Sequence, residues 1–360
     1  MVGDIAKRWK ELSGNSKWKD LLDPLDLDLR RYILHYGDMA EVEYVTFNSD
    51  RRSKYVGDSW YTKEELFART GYLKANPFRY QVTKYIYGTS SIRLPECFLV
   101  NSWSREAWNK ESNWLGYIAV ATDEVKELYI REKRHSCSMA RDHSVVQGEL
   151  KRLLELYKHE EVSITFTGHS LGAVLSILSA TDFLYNEWPK TTTSLGDTIS
   201  CVTVFAFGSP RIGDLNFRRL VESLKKLNIL RITNVPDLIP HYPVFRFRDV
   251  GEELEINTLK SEYLKRSLNL GRFHNLEAYL HGVAGTQHNQ AEFKLEINRD
   301  IALVNKDLDA LEDKYLVPGH WLVLENRGMV QADDGTWILN GDMGNNDQEE
   351  EKDKCELPGI

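Results

Sequence analysis

The sequence is poor in cysteine, with four in 360 residues, at Cys97, Cys137, Cys201 and Cys355. None of them forms a Cys-x-x-Cys pair, and their spacing fits no zinc-binding template. The sequence therefore predicts neither a disulfide framework nor a metal site. This cysteine usage favours a reducing compartment, and the amino-terminal stretch lacks the apolar core of a signal peptide. Together these features predict a cytoplasmic protein.

The sequence also lacks a surplus of positive charge and long apolar runs. It has 46 Lys and Arg against 54 Asp and Glu, which gives a formal net charge of −8. This balance argues against binding to nucleic acid phosphates. No apolar run reaches the roughly 20 residues of a membrane-spanning helix, so no transmembrane segment is expected. Contact with a lipid surface would have to rest on exposed apolar side chains.

Hydrophobic residues make up 42% of the chain, enough for one large core. Apolar runs and amphipathic helical patterns alternate through the middle of the sequence. The predicted strands cover residues 114–121, 162–167, 199–207 and 229–233, and the predicted helices cover residues 146–157, 171–188 and 215–227. Such alternation predicts an α/β fold, with a mainly parallel central sheet flanked by helices.

The same patterns predict one domain over residues 1–344. A helical and β-rich region at residues 1–110 precedes a catalytic core at residues 111–330. The remaining residues, 345–360, are polar and acidic, and this composition predicts a disordered tail.

One short motif indicates a catalytic serine. The sequence Gly168-His169-Ser170-Leu171-Gly172 follows a predicted strand and opens a predicted helix. This is the context of a nucleophile elbow, a turn so tight that only small residues fit at its two glycines. The turn would expose the hydroxyl of Ser170 and place the backbone N–H of Leu171 at a helix amino terminus, where it could hold an oxyanion. The alternative is a serine that merely caps a helix.

A nucleophilic serine needs a base and an acid, and in this fold they follow the serine in the order acid, then histidine. Asp237 lies in a loop flanked by two prolines directly after a predicted strand, which makes it the leading candidate for the acid. Asp214 and Asp249 are weaker candidates, because neither directly follows a strand end.

For the histidine, the residues offer several candidates. His241 is too close in sequence to Asp237 to reach both partners, which leaves His274, His281, His288 and His320. His274 and His281 share one apolar segment, and the physical pattern of the residues does not separate them.

The chain resembles the class 3 lipases, and more closely the plant group-II phospholipases A1. Besides the elbow, the similarity includes the motifs Leu-Asp-Pro-Leu-Asp-Leu near the start and Val-Pro-Gly-His-Trp near the end. The similar segments are residues 9–37, 111–120, 168–172, 234–240, 273–283 and 317–321. The resemblance extends over about nine-tenths of the chain.

The resemblance implies an α/β-hydrolase that cleaves glycerolipid acyl esters in the cytosol, preferentially at the sn-1 position. It implies a Ser-Asp-His triad without a metal or cofactor, with Ser170, Asp237 and His274 in these roles. His274 is chosen over His281 because it opens the family motif His-x-Leu-x-x-Tyr/Met-Leu-His. The implied partner is a glycerolipid at a membrane or micelle surface, while the oligomeric state stays open.

The chain departs from the family at residues 122–144. Family members carry a strand and an Arg-Gly-Thr or Arg-Gly-Ser element there, followed by a lid, and the small residue supplies the second oxyanion donor. Here the interval is short and charged, and the one Arg-Gly pair, Arg327-Gly328, comes after the triad. A lost donor costs about 3 kcal/mol of transition-state stabilisation. We therefore expect a fold truncated by one or more strands, with no identified second donor.

This departure suggests a second function. A lipase-like chain without a complete oxyanion hole could serve as a catalytically impaired scaffold or interaction protein. A third candidate is a carboxylesterase that acts on soluble esters.

Overall fold

The computed structural model describes residues 2–48, 50, 52–70, 72, 79–88, 113–122, 127–131, 139–187, 199–266, 270–286, 292–322 and 329–339. Several features of the sequence lie outside these residues. They are Cys97, Cys137, Cys355, His288, the Arg327-Gly328 pair and the acidic tail of residues 345–360.

Within the described residues, seven strands form the main sheet in the order in which they occur along the chain. They are β1 (Tyr80–Gly88), β2 (Asn113–Ala121), β3 (Glu127–Arg131), β4 (Val162–His169), β5 (Ile199–Phe207), β6 (Leu227–Asn234) and β7 (Glu252–Ile256). The pairs β1–β2 and β2–β3 are antiparallel, and all pairs from β3 to β7 are parallel. Every residue of β4 and β6 is buried, as expected of strands covered on both faces. The predicted α/β fold with a mainly parallel sheet is confirmed.

The described residues also form eight α-helices, several short 3-10 helices and a small hairpin. The helices are α1 (Val2–Leu12), α2 (Leu27–Thr46), α3 (Leu66–Arg69), α4 (Met139–Leu156), α5 (Leu171–Asp182), α6 (Leu215–Ser223), α7 (Leu270–Phe273) and α8 (Leu276–Gly285). The hairpin pairs β8 (Met329–Gln331) with β9 (Trp337–Leu339). None of the described helices is both long enough and apolar enough to cross a membrane.

The two faces of the sheet belong to separate hydrophobic cores, because successive side chains of a strand point to opposite sides. In β5, Phe205 and Phe207 pack with α2 and α8 on one face. Val204 and Ala206 pack with α4 and α5 on the other. The amino-terminal region is therefore part of the same layered fold as the catalytic core.

The sheet corrects the expectation of a lost strand. Residues of the charged interval, Glu127–Arg131, form β3 between β2 and β4. Its register with β4 is parallel and pairs Arg131 with Thr167. An empty interior position would leave backbone donors and acceptors of both neighbouring strands unpaired, so even a charged segment is more stable there as a strand. The sheet is therefore continuous despite the short interval.

Other boundaries also differ from the sequence pattern. Helix α6 ends at Ser223 rather than near residue 227, because Leu227 already begins β6. Helix α5 ends at Asp182 and continues as a π-helical turn, Phe183–Glu187. Strand β7 has only two buried residues, Leu254 and Ile256, and this weak alternation is why the sequence did not predict it.

A buried cluster of charges joins helix α2 to helix α8. Arg299 contacts Asp38 and Glu277 with N···O distances of 2.6 and 2.7 Å. Lys306 contacts Glu277 at 2.5 Å and Glu41 at 3.4 Å. Burial acts to raise the pKa of Glu277, but the two cations outweigh it and lower that pKa below its ordinary value. Glu277 therefore stabilises the fold at neutral pH, and this stabilisation is lost as the pH falls through its lowered pKa.

We expect Glu277→Gln to lower the free energy of unfolding by about 3 kcal/mol, because it leaves two buried cations without one of their anions. Denaturant unfolding at neutral pH measures the change. Glu222→Gln is the matched control, since Glu222 and Arg218 form an exposed pair at 2.8 Å, and such pairs contribute about 0–1 kcal/mol. Equal losses in the two variants would contradict the expectation.

Candidate active site

Ser170 occupies the sharp turn between β4 and α5. Its backbone has φ 58° and ψ −124°, a conformation that is strained for a residue with a side chain. A Cβ atom at Gly168 would lie 2.5 Å from the carbonyl carbon and oxygen of Gly172. The turn thus needs glycine where strand and helix cross, as predicted for a nucleophile elbow. The Ser170 N–H also donates to Phe207 O at 2.8 Å, which fixes the turn against the end of β5.

The three predicted polar side chains lie in one hydrogen-bonded chain. His274 Nε2 is 2.7 Å from Ser170 Oγ, and His274 Nδ1 is 2.6 Å from Asp237 Oδ2. All three residues are buried. With Nδ1–H donated to the carboxylate, the lone pair of Nε2 faces the serine hydroxyl. This arrangement can remove the proton from Ser170 and stabilise the imidazolium that results.

The loops that carry Asp237 and His274 are tied to each other. Asp237 follows β6 in a tight turn, in which its N–H donates to Asn234 O and its Oδ1 accepts from Ile239 N–H. Asn234 Nδ2 donates to Phe273 O at 2.9 Å, one residue before His274. The distance between acid and base is therefore fixed by backbone contacts as well as by their own hydrogen bond.

Tyr279 is a member of the site that sequence reasoning missed. Its hydroxyl donates to Asp237 Oδ2 at 2.6 Å, so this oxygen accepts from both His274 and Tyr279. Burial raises the pKa of Tyr279 well above its usual value, and the neighbouring carboxylate raises it further, so the hydroxyl stays a donor at neutral pH. The sequence did contain a signal for this residue, since Tyr279 occupies the Tyr/Met position of the family motif that begins at His274.

His169, the variable residue before the serine, lies beside His274. Its ring centroid lies 4.7 Å from that of His274, and its Nδ1 is 2.8 Å from the hydroxyl of Tyr44 in α2. The amino-terminal region thus reaches the site through Tyr44. No sequence signal pointed to this contact.

The other candidate histidines lie elsewhere in the described structure. His281 Nε2 is 2.8 Å from Ser261 Oγ, and burial lowers the pKa of His281 to about 4. His241 and His320 are exposed. The structure therefore brings His274, and not His281, to Ser170.

The weaker acid candidates have other partners. Asp214 caps helix α6 by accepting from the N–H groups of Asn216 and Phe217. Asp249 forms ion pairs with Arg211 and Arg231. Neither is among the hydrogen-bond partners of His274.

The predicted oxyanion donor, Leu171 N–H, begins helix α5 directly after Ser170. Among the described residues, none accepts a hydrogen bond from it, as expected of the first N–H of a helix. A second donor stays unidentified. Strand β3 ends beside Thr167 of β4, and residues 132–138, which follow it, lie outside the described residues.

Comparison with known proteins assigns this site to a family. Residues 108–247, which include Ser170 and Asp237, match the family Lipase (class 3). Phospholipase A1-IIbeta of Arabidopsis thaliana is 71% identical over an alignment that covers 95% of this chain and 95% of that protein. Phospholipase A1-IIalpha of the same plant is 52% identical, over 98% of this chain and 96% of its own. The chain belongs to the group-II phospholipase A1 family. The resemblance seen in the sequence is confirmed.

Two further findings describe the match. The alignment with phospholipase A1-IIbeta spans 395 positions, more than the 360 residues of this chain, so the relative has internal residues without a counterpart here. Among solved structures, the triacylglyceride lipase of Rhizomucor miehei matches with a TM-score of 0.30 and 24% identity, over 39% of this chain and 62% of that chain. The family assignment rests on the plant relatives.

We expect Tyr279→Phe to lower kcat for a p-nitrophenyl ester about tenfold with little change in KM. The variant loses one hydrogen bond to a charged group, worth about 1.5 kcal/mol, on the residue that orients the base. Steady-state kinetics measure both constants. The control is Tyr263→Phe, because Tyr263 stacks on Tyr315 and is not in the hydrogen-bonded chain of the site. A change in KM alone, or an equal loss in the control, would argue against this role of Tyr279.

Proposed function

We propose that the chain hydrolyses acyl esters of glycerophospholipids, preferentially at the sn-1 position, with Ser170 as nucleophile. The observation that carries this proposal is the buried chain of hydrogen bonds from Asp237 through His274 to Ser170. The names of the plant relatives support the substrate class and the position of cleavage.

The reaction follows from the positions of these groups. Ser170 Oγ attacks the ester carbonyl carbon while its proton passes to His274 Nε2. The carbonyl oxygen becomes an oxyanion near Leu171 N–H, at the positive end of helix α5. The C–O bond to glycerol then breaks, and His274 returns the proton to the leaving hydroxyl. Water, deprotonated by His274, attacks the acyl-serine and releases the fatty acid.

Asp237 and Tyr279 act on the base and not on the substrate. The carboxylate keeps Nδ1 protonated and stabilises the charged imidazole in both halves of the reaction. Tyr279 holds the carboxylate oxygen that receives Nδ1–H. Their burial keeps water from weakening either hydrogen bond.

The alternative of an impaired scaffold is not favoured. Such a chain has no need for a strained serine turn and a buried acid–base pair in hydrogen-bond contact. Related chains that share most of its sequence are named as phospholipases.

We also propose that the protein acts in the cytoplasm, which the low cysteine content supports. Its partner in this proposal is a glycerolipid surface.

The decisive experiment uses phosphatidylcholine with a labelled acyl chain at sn-1. We expect labelled fatty acid as the product. Ser170→Ala and His274→Gln should each lower the rate of its release by about a thousandfold or more. His281→Gln is the matched control, because its amide can still bond Ser261, and it should keep most of the activity.

Equal rates for the parent chain and Ser170→Ala would contradict the hydrolase itself. Release of fatty acid from sn-2, with Ser170 still required, would contradict only the position. Loss of activity in His281→Gln but not in His274→Gln would contradict the choice of base.

A further inference from the structure

Large apolar side chains are exposed along one segment of the chain. Phe245 is 84% exposed, and Val244 and Leu238 are each 60% exposed. The segment's other exposed large apolar residues are Val235, Tyr242 and Phe247. Single exposed apolar residues are ordinary, but six within thirteen positions form a patch that needs an explanation. We refer to residues 235–248 as the 235–248 surface.

The 235–248 surface lies at the edge of the sheet that carries the catalytic residues. It begins directly after β6 and includes Asp237, and Val235 N–H donates to Ile256 O at the end of β7. Farther along, Arg211 N–H donates to Tyr242 O, which joins the segment to the loop after β5. That loop begins at Gly208, where a Cβ would lie 3.1 Å from the His274 ring. The segment that bears the exposed apolar groups therefore lies beside the elements that carry the site.

The charge of the segment is positive although the chain as a whole is acidic. Arg246 and Arg248 alternate with Val244, Phe245 and Phe247, and no acidic residue occurs from residue 238 to residue 248. Both arginines are exposed. The Arg248 backbone N–H donates to Gly213 O, but neither guanidinium group forms a hydrogen bond or ion pair with another described residue. Guanidinium groups bind phosphate through paired hydrogen bonds, whereas apolar rings beside them favour an acyl environment.

We propose that the 235–248 surface binds the phospholipid bilayer, with its apolar side chains in the acyl region and its two arginines on lipid phosphates. This proposal extends the proposed function and rests on it for the assignment of a phospholipid substrate. A bilayer is the occupant we infer because the patch lies beside a site proposed for lipid esters and combines apolar with phosphate-binding groups. A protein partner would have no need for both groups beside the site.

The proposal also explains how an acidic chain can reach a lipid surface. An anionic membrane repels a chain of net charge −8 at long range, so binding has to come from local contacts. Insertion of one phenylalanine from water into the acyl region is enough to change partition by about tenfold or more.

The test measures vesicle binding without turnover, in a Ser170→Ala background. Co-sedimentation with phosphatidylcholine vesicles, and with vesicles of equal parts phosphatidylcholine and phosphatidylglycerol, gives the partition constant. We expect Phe245→Ser to weaken binding to both kinds of vesicle about tenfold or more. Arg246→Gln with Arg248→Gln should weaken binding chiefly to the anionic vesicles.

Leu156→Ser is the matched control. Leu156 is 61% exposed at the end of α4 and leads into the amino end of β4, at the opposite edge of the sheet. It should bind vesicles like the background chain. Thermal unfolding of each variant shows that the exposed substitutions leave the fold intact.

Equal vesicle binding by Phe245→Ser and by Leu156→Ser would overturn the proposal. So would a Phe245→Ser variant that changes from dimer to monomer in light scattering without losing vesicle binding, because the patch would then serve a second copy of the chain. Binding without turnover is independent of hydrolysis, so a chain that binds vesicles through this surface but cleaves no ester would contradict the proposed function and not this inference.

Discussion

The position of helix α8 is the constraint on which the site depends. His274 directly precedes the helix cap at Asn275, whose side chain accepts from Ala278 N–H and fixes where the helix begins. Leu280 packs so closely on α2 that a Cβ at Gly37 would lie 2.1 Å from its side chain. At the other end, Arg30 of α2 donates to the carbonyl of Val283. A shift of α8 along its axis would therefore move the base away from Ser170.

A buried cluster of charges also fixes the position of helix α8. Glu277 lies in the first turn of α8, where the positive end of the helix dipole favours an anion, and its carboxylate meets Arg299 and Lys306. Buried ion pairs contribute little net stability compared with apolar packing, but they allow few alternative arrangements. We infer that this cluster sets the rotation of α8, which directs Tyr279 to Asp237. Segments from both ends of the chain thus fix the geometry of a site whose nucleophile lies in the middle.

The sequence predicted the parts of the site that depend on local structure. A tight turn between strand and helix has a short signature, and the positions of Ser170 and Leu171 followed from it. Asp237 followed from chain order and from its place after a strand. The choice between His274 and His281 did not follow from the residues, because seven positions are two helical turns and put both on the same face of a continuous helix. They differ because Asn275 caps the helix between them, so that only His281 is helical.

Contacts between distant segments were beyond the sequence. Tyr44 reaches His169 across 125 positions, and nothing in the local pattern of α2 distinguishes this tyrosine from its neighbours. Nothing in the local sequence marks Arg299 and Lys306 as buried, since their partners lie on helices α2 and α8. Strand β3 was not predicted because its short run Leu128-Tyr129-Ile130 lies in a highly charged stretch without a clear period, and its formation depends on the two strands beside it.

The dependence of β3 on its neighbouring strands explains how a chain with fewer internal residues can keep the sheet. Relatives have internal residues that this chain lacks, yet the sheet passes without a gap from β2 through β3 to β4. Backbone hydrogen bonding explains this continuity, since a strand of five residues is enough to pair with backbone groups of both neighbouring strands. Substrates enter open α/β sheets near the carboxyl ends of the strands. The loops after β5, β6 and β7 begin at these ends, and of these loops the one after β6 has the most exposed apolar side chains.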